Sequence, residues 1–404
     1  MTSNYNKDDP IFGTLDLDDE YITDAWLVDK YVGNTLWSCG YNTKGGLGDG
    51  TIVPKSSPVQ IGALVNWKQV SASPSFGTGV LGNNTAAVKT DGTLWTCGYN
   101  GYGQLGNGTN SLSVFVSTPI QVGALSNWKQ VACGRFSTSA VKTDGTLWTW
   151  GYNSSGQLGD GTVVPKSSPI QFGSLTNWKY VANGIYHTAA IKTDGTLWTC
   201  GYNRSVFGGP GGELGDGTIV DKSSPVQVGS LTTWKQVACG FSFTAAIKTD
   251  GTLWTWGNNS YGNLGDGTVV PKSTPIQVGS LTNWKQVACG YFHTMAIKTD
   301  GTLWGCGYNL TGRLGIGNTT SMSSPVQIGA LTNWKSVSCG YGHTTAIKTD
   351  GTLWSFGKNS YGELGYNTGG LGVSTPVQIG TLTNWKQVSA GGYHTSAITF
   401  TEIS

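Results

Sequence analysis

The chain has 404 residues, of which 62 are glycine and 17 are tryptophan, while charged residues make up only 11%. Amphipathic helices would need far more Lys and Glu on their solvent faces, so this composition favours many short strands joined by tight turns. The net charge is +2, and no 20-residue apolar run occurs, which excludes a membrane-spanning helix.

The N-terminal segment is strongly acidic. Residues 1–24 contain seven acidic residues and one lysine, a charge of −6 that leaves +8 for the rest. Residues 1–23 are therefore predicted to be an anchoring or disordered tail, and residues 24–404 a single domain. The proposed anchoring charges are Asp16, Asp18, Asp19 and Glu20. The polar start lacks the apolar core of a signal peptide, so no secretory signal is expected.

Two tryptophan blocks recur through the rest of the chain. G-T-L-W, with a divergent first copy, ends at Trp37, Trp95, Trp148, Trp198, Trp254, Trp304 and Trp354. W-K-x-V begins at Trp67, Trp128, Trp178, Trp234, Trp284, Trp334 and Trp385. Seven copies of each block predict seven structural units.

Each unit is predicted to contain four short strands. In the copy from 284 to 328 they are W-K-Q-V-A-C, H-T-M-A-I-K, T-L-W-G-C-G and P-V-Q-I. Residues 298–301, K-T-D-G, form a short Asp-Gly hairpin, whereas residues 309–324 form a longer Gly-rich loop. A four-stranded sheet cannot bury both faces alone and must stack radially on its neighbours, as the blades of a propeller do.

The two ends of the chain are predicted to share one blade. Residues 385–398 supply the first two strands of a blade, and residues 35–60 supply the last two. The fold is therefore expected to be all-β, a seven-bladed β-propeller with four-stranded antiparallel blades and a closing blade shared by both termini. Residues 24–29 also resemble a second strand, so the terminus that fills that place stays open.

The repeat consensus carries a family resemblance. H-T-x-A-I-K-T-D-G-T-L-W-x-x-G-x-N-x-x-G-x-L-G resembles the repeat of the regulator of chromosome condensation family, from about residue 24 to 404. That resemblance implies a seven-bladed propeller. The founding member of the family is a nucleotide exchange factor for a small nuclear GTPase, but no motif here carries that activity over residue by residue.

The histidines recur at one repeat position, which raises the alternative of a metal-binding ring. They are His187, His293, His343 and His394. Other copies place Asn84, Ser137 and Phe243 there, so the position tolerates polar and aromatic side chains. Equivalent atoms on different blades are also too far apart for one metal ion. We expect a structural hydrogen-bonding role and no metal.

The eight cysteines fall in two repeat columns, and only Cys289 and Cys306 could pair within one blade. Free, buried thiols are therefore expected instead of a disulfide framework. The Gly-rich runs lack the Lys-Ser or Lys-Thr of a phosphate loop, and the aspartates of L-G-D-G-T are expected to form turns. No catalytic residue and no cofactor is predicted.

Departures from the repeat indicate a binding face. Insertions at residues 73–83, 110–116 and 204–212 follow the first or third strand of a unit, and strand parity places these links on one face. Arg and aromatic side chains dominate interface energetics. The candidate partner-binding residues are Phe76, Phe115, Arg135, Arg204, Phe207 and Arg313. On the other face, K-T-D-G and L-T-N-W repeat almost unchanged, with lysines paired to aspartates.

The function expected from these features is a non-catalytic binding or structural module that contacts a protein or a glycan. The near-identical copies and the acidic leader are similar to propellers encoded by bacterial viruses. That similarity implies a virion tail or capsid appendage, with a role in host recognition and the tail bound to another virion protein. Otherwise the location is cytoplasmic. The alternative is regulation of a small GTPase by nucleotide exchange. Specific nucleic-acid binding is not expected, because the lysines are evenly spread.

Overall fold

The computed structural model describes residues 33–75, 83–112, 115–204 and 211–400. Within these ranges the chain forms 28 strands and contains no helix, so none that could cross a membrane. The strands, β1 to β28 in chain order, pair into seven four-stranded antiparallel sheets. This arrangement confirms the predicted seven-bladed propeller.

Each blade runs from a strand at the central channel to a strand at the rim. The innermost strands are β3 (Trp67–Ala72), β7 (Trp128–Cys133), β11 (Trp178–Asn183), β15 (Trp234–Cys239), β19 (Trp284–Cys289), β23 (Trp334–Cys339) and β27 (Trp385–Ala390). The second strands are β4 (Asn84–Lys89), β8 (Ser137–Lys142), β12 (His187–Lys192), β16 (Phe243–Lys248), β20 (His293–Lys298), β24 (His343–Lys348) and β28 (His394–Thr399).

The two outer strands complete each blade. The third strands are β1 (Thr35–Gly40), β5 (Leu94–Tyr99), β9 (Leu147–Gly151), β13 (Leu197–Gly201), β17 (Leu253–Gly257), β21 (Leu303–Gly307) and β25 (Leu353–Gly357). The rim strands are β2 (Lys55–Gln60), β6 (Phe115–Gln121), β10 (Lys166–Gln171), β14 (Lys222–Gln227), β18 (Lys272–Gln277), β22 (Met322–Gln327) and β26 (Val373–Gln378). The rim strands begin earlier than predicted, as β22 does at Met322 instead of Pro325.

The closing blade has the strand order β2-β1-β28-β27. β28 lies between the N-terminal β1 and the C-terminal β27, and its register pairs Thr35 with Thr399. Ser38 and Ser396 also share a buried hydroxyl hydrogen bond of 3.0 Å across this seam. The C-terminus therefore supplies the second strand. Residues 24–29, the alternative, lie outside the described residues.

The hydrophobic core lies between neighbouring blades. In one seam Trp128 and Trp150 of the second blade pack against Val88 and Leu94 of the first. All four side chains are at most 2% exposed, and burying a large apolar side chain contributes about 1.5–3 kcal/mol. A single blade would leave this surface in water, which is why the blades are stable only as a ring.

Glutamine side chains join the innermost strands across these seams. Gln69 donates from Nε2 to the Val131 carbonyl and accepts from the Val131 N–H, both at 2.7 Å. Because one side-chain amide both donates and accepts a hydrogen bond with the same backbone residue, it fixes the spacing and register of the two neighbouring strands. The equivalent pairs are Gln130–Val181, Gln236–Val287, Gln286–Val337 and Gln387–Val70. The last of these joins the seventh blade to the first.

The histidines also lie in the seams, as expected for a structural role. The Nε2 atom of His187 lies 3.0 Å from Thr244 Oγ1 of the next blade. His293, His343 and His394 make the same contact with Thr344, Thr395 and Thr85. Burial lowers the pKa of His187 to about 4, so the ring is neutral at physiological pH.

All eight cysteines, each within the described ranges, are free thiols. Burial raises the pKa of Cys39 and of Cys97 to about 12, so neither is a thiolate at neutral pH. The prediction of free, buried cysteines is confirmed, with the qualification that Cys239 and Cys289 are only half-buried. These two side chains line the central channel.

Each K-T-D-G turn holds its lysine between two tryptophans. In the fourth blade Lys248 Nζ lies 3.4 Å from the Trp254 ring centroid and 5.0 Å from that of Trp234. Asp250 accepts a hydrogen bond from Thr252, whose hydroxyl accepts one from Trp254 Nε1. Lys248 is only 6% exposed. The turn therefore encloses this lysine against aromatic rings, a contact that the sequence analysis did not predict.

Candidate functional site

The links between strands divide into two faces of the disc. Links after the innermost and third strands form the loop-rich face, where Tyr41 N–H donates to the Tyr393 carbonyl at 2.8 Å. Links after the second and rim strands form the repetitive face, where Thr143 N–H donates to the Asn127 carbonyl at 2.9 Å. Links after the first and third strands of a blade thus lie together on one face, and links after the second and fourth strands lie together on the other, as the sequence predicted.

Aromatic side chains crowd the loop-rich face and form what we call the aromatic collar. They come from three places in the repeat: the G-Y-N link after a third strand, the N-x-Y-G turn that follows this link, and the residues that follow an innermost strand. The collar consists of Tyr41, Tyr99, Tyr102, Phe136, Tyr152, Tyr186, Tyr202, Phe241, Tyr261, Tyr291, Phe292, Tyr308, Tyr341, Tyr361 and Tyr393.

The rings of the collar contact one another in two uninterrupted series, each of which follows an arc of the disc. One arc runs from Tyr99 to Tyr202 over the first three blades. The other runs from Phe241 to Tyr41 over the remaining blades, with ring centroids as close as 4.3 Å. Edge-to-face aromatic pairs contribute about 0.5–1.5 kcal/mol each beyond their burial. The loops are therefore held by their own side chains as a fixed platform.

Part of this platform is open to solvent. Tyr261 is 40% exposed and Tyr361 is 36% exposed, whereas Phe136 and Tyr393 are 6% exposed. The buried rings support the links, and the exposed rings present an edge and a hydroxyl group. Side chains of this kind can make apolar contacts and hydrogen bonds to a partner at small entropic cost.

Two cations are held against the collar. The Arg135 guanidinium lies 4.5 Å from the Phe136 ring centroid and donates from Nη1 to the Tyr186 hydroxyl at 2.7 Å. Lys358 Nζ lies 4.8 Å from the Tyr393 ring centroid. Both contacts have cation–π geometry, which positions the charge without neutralising it. The collar therefore combines aromatic edges with fixed positive charge.

Arg313 was predicted to bind a partner, but its side chain is buried and makes hydrogen bonds within the protein. It is 2% exposed, its Nη1 donates to the Tyr341 carbonyl at 2.9 Å, and its Nε donates to Thr311 Oγ1 at 3.2 Å. Burial lowers its pKa to about 10. The prediction of an exposed guanidinium is wrong, because side chains at this repeat position lie beneath the collar. In the first blade the same position is Gln104, which is also buried.

The other predicted binding residues lie at the edge of the collar or outside the described residues. Phe115 begins β6, is 37% exposed, and has Lys44 Nζ 5.7 Å from its ring centroid. Arg204 follows Tyr202 and pairs with Asp221, with Nε 3.3 Å from Oδ1. Phe76 and Phe207 lie outside the described residues, as do Asp16, Asp18, Asp19 and Glu20. Of the predicted partner-binding residues that the structure describes, Arg135 alone contacts the exposed side of the collar.

Two buried carboxyl groups, which the sequence analysis missed, lie beneath the collar. Glu213 Oε2 accepts from the Gly212 N–H at 3.0 Å, and Glu363 Oε2 accepts from the Tyr361 N–H at 2.7 Å. Both residues are 1% exposed, and neither Oε1 atom has a hydrogen-bond partner among the described residues. Burial raises the pKa of Glu213 to about 8 and that of Glu363 to about 7.

These carboxyl groups replace an amide rather than form a catalytic pair. The same repeat position holds Gln104 and Gln157, whose Oε1 atoms accept the equivalent backbone bonds. Glu213 and Glu363 belong to the third and sixth blades, so they do not share a site. The variation of Gln to Glu before L-G was the one sequence signal that could have identified them. Among the described residues, no three His, Cys, Asp or Glu side chains are grouped to hold a metal.

Comparison with known proteins places this architecture in a family. A model described as RCC1-like domain matches residues 78–397, and a model of the regulator of chromosome condensation (RCC1) repeat matches residues 34–80. The ultraviolet-B receptor UVR8 of Arabidopsis thaliana is 34% identical over 236 residues, 57% of this chain and 50% of that protein. The mitochondrial RCC1 domain-containing protein RUG3 of the same plant is 30% identical over 55% of this chain and 49% of that protein.

The chain spans about half, or less, of the length of the curated relatives it matches. Solved structures show the same fold at lower identity. Human WBSCR16 has a TM-score of 0.78 at 22% identity, covering 91% of this chain and 98% of that one. Prp20p of Saccharomyces cerevisiae has a TM-score of 0.77 at 18% identity, covering 93% and 94%. With a family match over most of its length, the chain belongs to the RCC1-like domain family.

Proposed function

We propose that the protein is a non-catalytic binding module that takes a protein partner on its loop-rich face. The aromatic collar carries this proposal, because it exposes Tyr261 and Tyr361 to solvent and holds the cations of Arg135 and Lys358 against other rings of the same face. Tyrosine and arginine are the side chains most enriched at interface hot spots, together with tryptophan.

The collar favours a partner that combines acidic and apolar surface. Arg135 and Lys358 supply positive charge whose orientation is already fixed by the rings below it. A pre-ordered surface loses little side-chain entropy on association, so more of the contact energy appears as affinity. Residues 110–112 and 204, where two of the insertions begin, follow third strands and therefore lie on the same face.

The more specific sequence-based functions stay predictions within this proposal. A small GTPase regulated by nucleotide exchange would be one protein partner of the collar. A glycan ligand, a virion appendage and a tail bound to a virion protein are predictions that rest on the resemblance of the sequence. A nucleotide-release assay with a panel of small GTPases distinguishes nucleotide exchange from the binding of a protein partner without exchange activity.

Affinity enrichment with paired variants tests the proposal. The baits are the unchanged chain, the collar variant Tyr261→Ser/Tyr361→Ser, and the control Leu281→Ser/Leu331→Ser. The control removes two comparably exposed side chains, 45% and 46%, from the repetitive face. Proteins retained by the unchanged chain and the control, but lost by the collar variant, would support the proposal. Loss by the control alone would refute it.

A further inference from the structure

Every innermost strand carries a β-bulge directly after its first tryptophan. In β3, Trp67 pairs with Lys89 and Gln69 pairs with Val88, so Lys68 is the extra residue. A bulge turns the side chain of its extra residue away from the regular alternation of the strand. The same irregularity occurs in all seven described innermost strands. The bulged residues, here called the lysine ring, are Lys68, Lys129, Lys179, Lys235, Lys285, Lys335 and Lys386.

The lysine ring surrounds the channel mouth on the repetitive face. The innermost strands line the channel and begin at that face, where the Trp67 N–H donates to the Asn34 carbonyl at 3.1 Å. Burial and then the charges of Lys386 and Lys285 lower the pKa of Lys335, and burial and then Lys235 lower that of Lys285. Lys235, Lys285, Lys335 and Lys386, which belong to four successive blades, therefore lie close enough to repel one another.

The ring accounts for the net charge of the propeller. The six K-T-D-G lysines are matched in number by the aspartates of the same turns. Four rim lysines form ion pairs within their own blades, for example Lys55 with Asp49 at 3.3 Å. The seven ring lysines are close to the charge of +8 that residues 33–404 carry. The positive charge is evenly repeated along the sequence, as predicted from the repeat, but the fold brings the W-K lysine of every blade to one end of the channel.

The acidic N-terminal segment joins the propeller beside this ring. Gly33 is the first described residue, Asn34 bonds Trp67, and Lys68 comes next. Residues 1–32 contain eight acidic residues and two lysines, a charge of −6. Because β28 fills the second-strand place of the closing blade, residues 24–29 are not needed there. Nine extended residues span about 30 Å, so the acidic residues from 16 to 24 can reach the channel mouth.

We propose that the lysine ring is a binding site for an acidic peptide, and that its occupant is residues 16–24 of the same chain. A single exposed ion pair contributes little, but one lysine from each blade at the start of its innermost strand gives a ring of like charge, which focuses a field that attracts a multivalent anion. This docking is independent of the proposed function, since it uses the opposite face.

Carbodiimide cross-linking of the full-length chain tests the contact directly. The reagent condenses a carboxylate with a lysine amine, with loss of water, only when the two groups touch. Peptide mapping should find Asp16, Asp18, Asp19 or Glu20 joined to ring lysines. In 1 M salt, where the Debye length is about 3 Å, these products should disappear. Cross-links made only to rim lysines would overturn the proposal.

An isotope-mixing control separates this chain from a second copy. Equal amounts of nitrogen-15-labelled and unlabelled chains are mixed before cross-linking. Docking within one chain gives cross-linked peptide pairs of a single isotope. Pairs of mixed isotope in the proportion expected for random exchange would show that a neighbouring copy is the occupant, and would refute the proposal.

A competing polyanion measures how far the segment blocks the ring. The probe is a fluorescent poly-glutamate peptide, bound to the unchanged chain and to the full-length variant Asp16→Asn/Asp18→Asn/Asp19→Asn/Glu20→Gln. If the segment occupies the ring about nine-tenths of the time, the variant should bind about tenfold more tightly. Adding Lys68→Gln/Lys335→Gln/Lys386→Gln should remove that gain, whereas the rim control Lys166→Gln/Lys222→Gln/Lys272→Gln should keep it. Equal binding by the unchanged chain and the acidic-segment variant would contradict the proposal.

Discussion

The repetitive face and the loop-rich face use the same repeat in opposite ways. On the repetitive face, Lys248, Asp250 and Thr252 satisfy one another and the tryptophans within one blade. On the loop-rich face, the position of Arg135 is Ile185 in the next blade and Tyr291 further round. The Lys-Asp-Thr network forms only where all of these residues are present. The position of Arg135 accepts side chains of different size and charge.

The difference arises from what fixes the backbone on each face. The links of the loop-rich face turn at glycines such as Gly156, at φ +79°, where a Cβ would lie 2.4 Å from the Ser223 Cα of the next blade. Glycine holds the turn, so the neighbouring side chains are free to vary. The repetitive face also turns at glycines, such as Gly251 at φ +78°, but there the Lys248 and Thr252 side chains fix the turn as well, through their contacts with Trp254. Variation can therefore accumulate on one face without loss of the fold.

Loss of the closing blade should destabilise the whole propeller, including both faces, and is the largest effect that we expect. Deleting residues 393–404 removes β28, which pairs with both β1 and β27. We expect loss of the cooperative thermal transition, measured by calorimetry and circular dichroism. An unchanged melting curve would show that the closing blade does not hold the ring together.

A charge reversal on the repetitive face should destabilise the fold. Lys298 is 7% exposed and lies 3.6 Å from the Trp304 ring centroid. Lys298→Glu places an anion against the negative faces of two rings and should cost about 2–4 kcal/mol of unfolding free energy. Urea denaturation measures the loss. Lys298→Arg should retain most of the stability, and the rim control Lys272→Glu should cost less than about 1 kcal/mol. Equal losses for both lysines would contradict the enclosed-lysine account.

The buried carboxyls of the loop-rich face should give a smaller, pH-dependent effect. The folded-state pKa of Glu213 and of Glu363 is raised, so their contribution is complete below the unfolded value of 4.5 and is lost as pH rises through 7 to 8. Glu213→Gln should therefore stabilise the protein by about 1–3 kcal/mol at pH 8.5 and by less at pH 5. Melting curves at both pH values measure this. The reciprocal Gln157→Glu should destabilise at pH 8.5; a pH-independent effect in both variants would refute the burial argument.

The sequence predicted what repeats within a blade and missed what arises between blades. The strands, the closing blade and the role of His187 follow from columns of similar residues. The burial of Arg313 and the lysine ring depend on how one repeat packs on another, which spacing along the chain does not specify. The enclosure of Lys248 lies within one blade, but it depends on two strands that place Trp234 and Trp254 beside the turn. The residues of the aromatic collar are similarly spread over three places in the repeat that meet only in three dimensions.

The central claim, that the loop-rich face binds the partner, is tested most directly by a loop exchange in the third blade. Residues 204–211 are replaced by the Ser154–Ser155 link of the second blade, which adds no tyrosine to the collar, and the dissociation constant for the enriched partner is measured beside the melting temperature. Asn203 and Asn153 make equivalent bonds to the following turn, so the fold should be kept. We predict unchanged melting and binding at least about tenfold weaker, while Leu281→Ser/Leu331→Ser binds normally. Normal binding by the loop exchange, with loss of binding by the repetitive-face variant, would contradict the account.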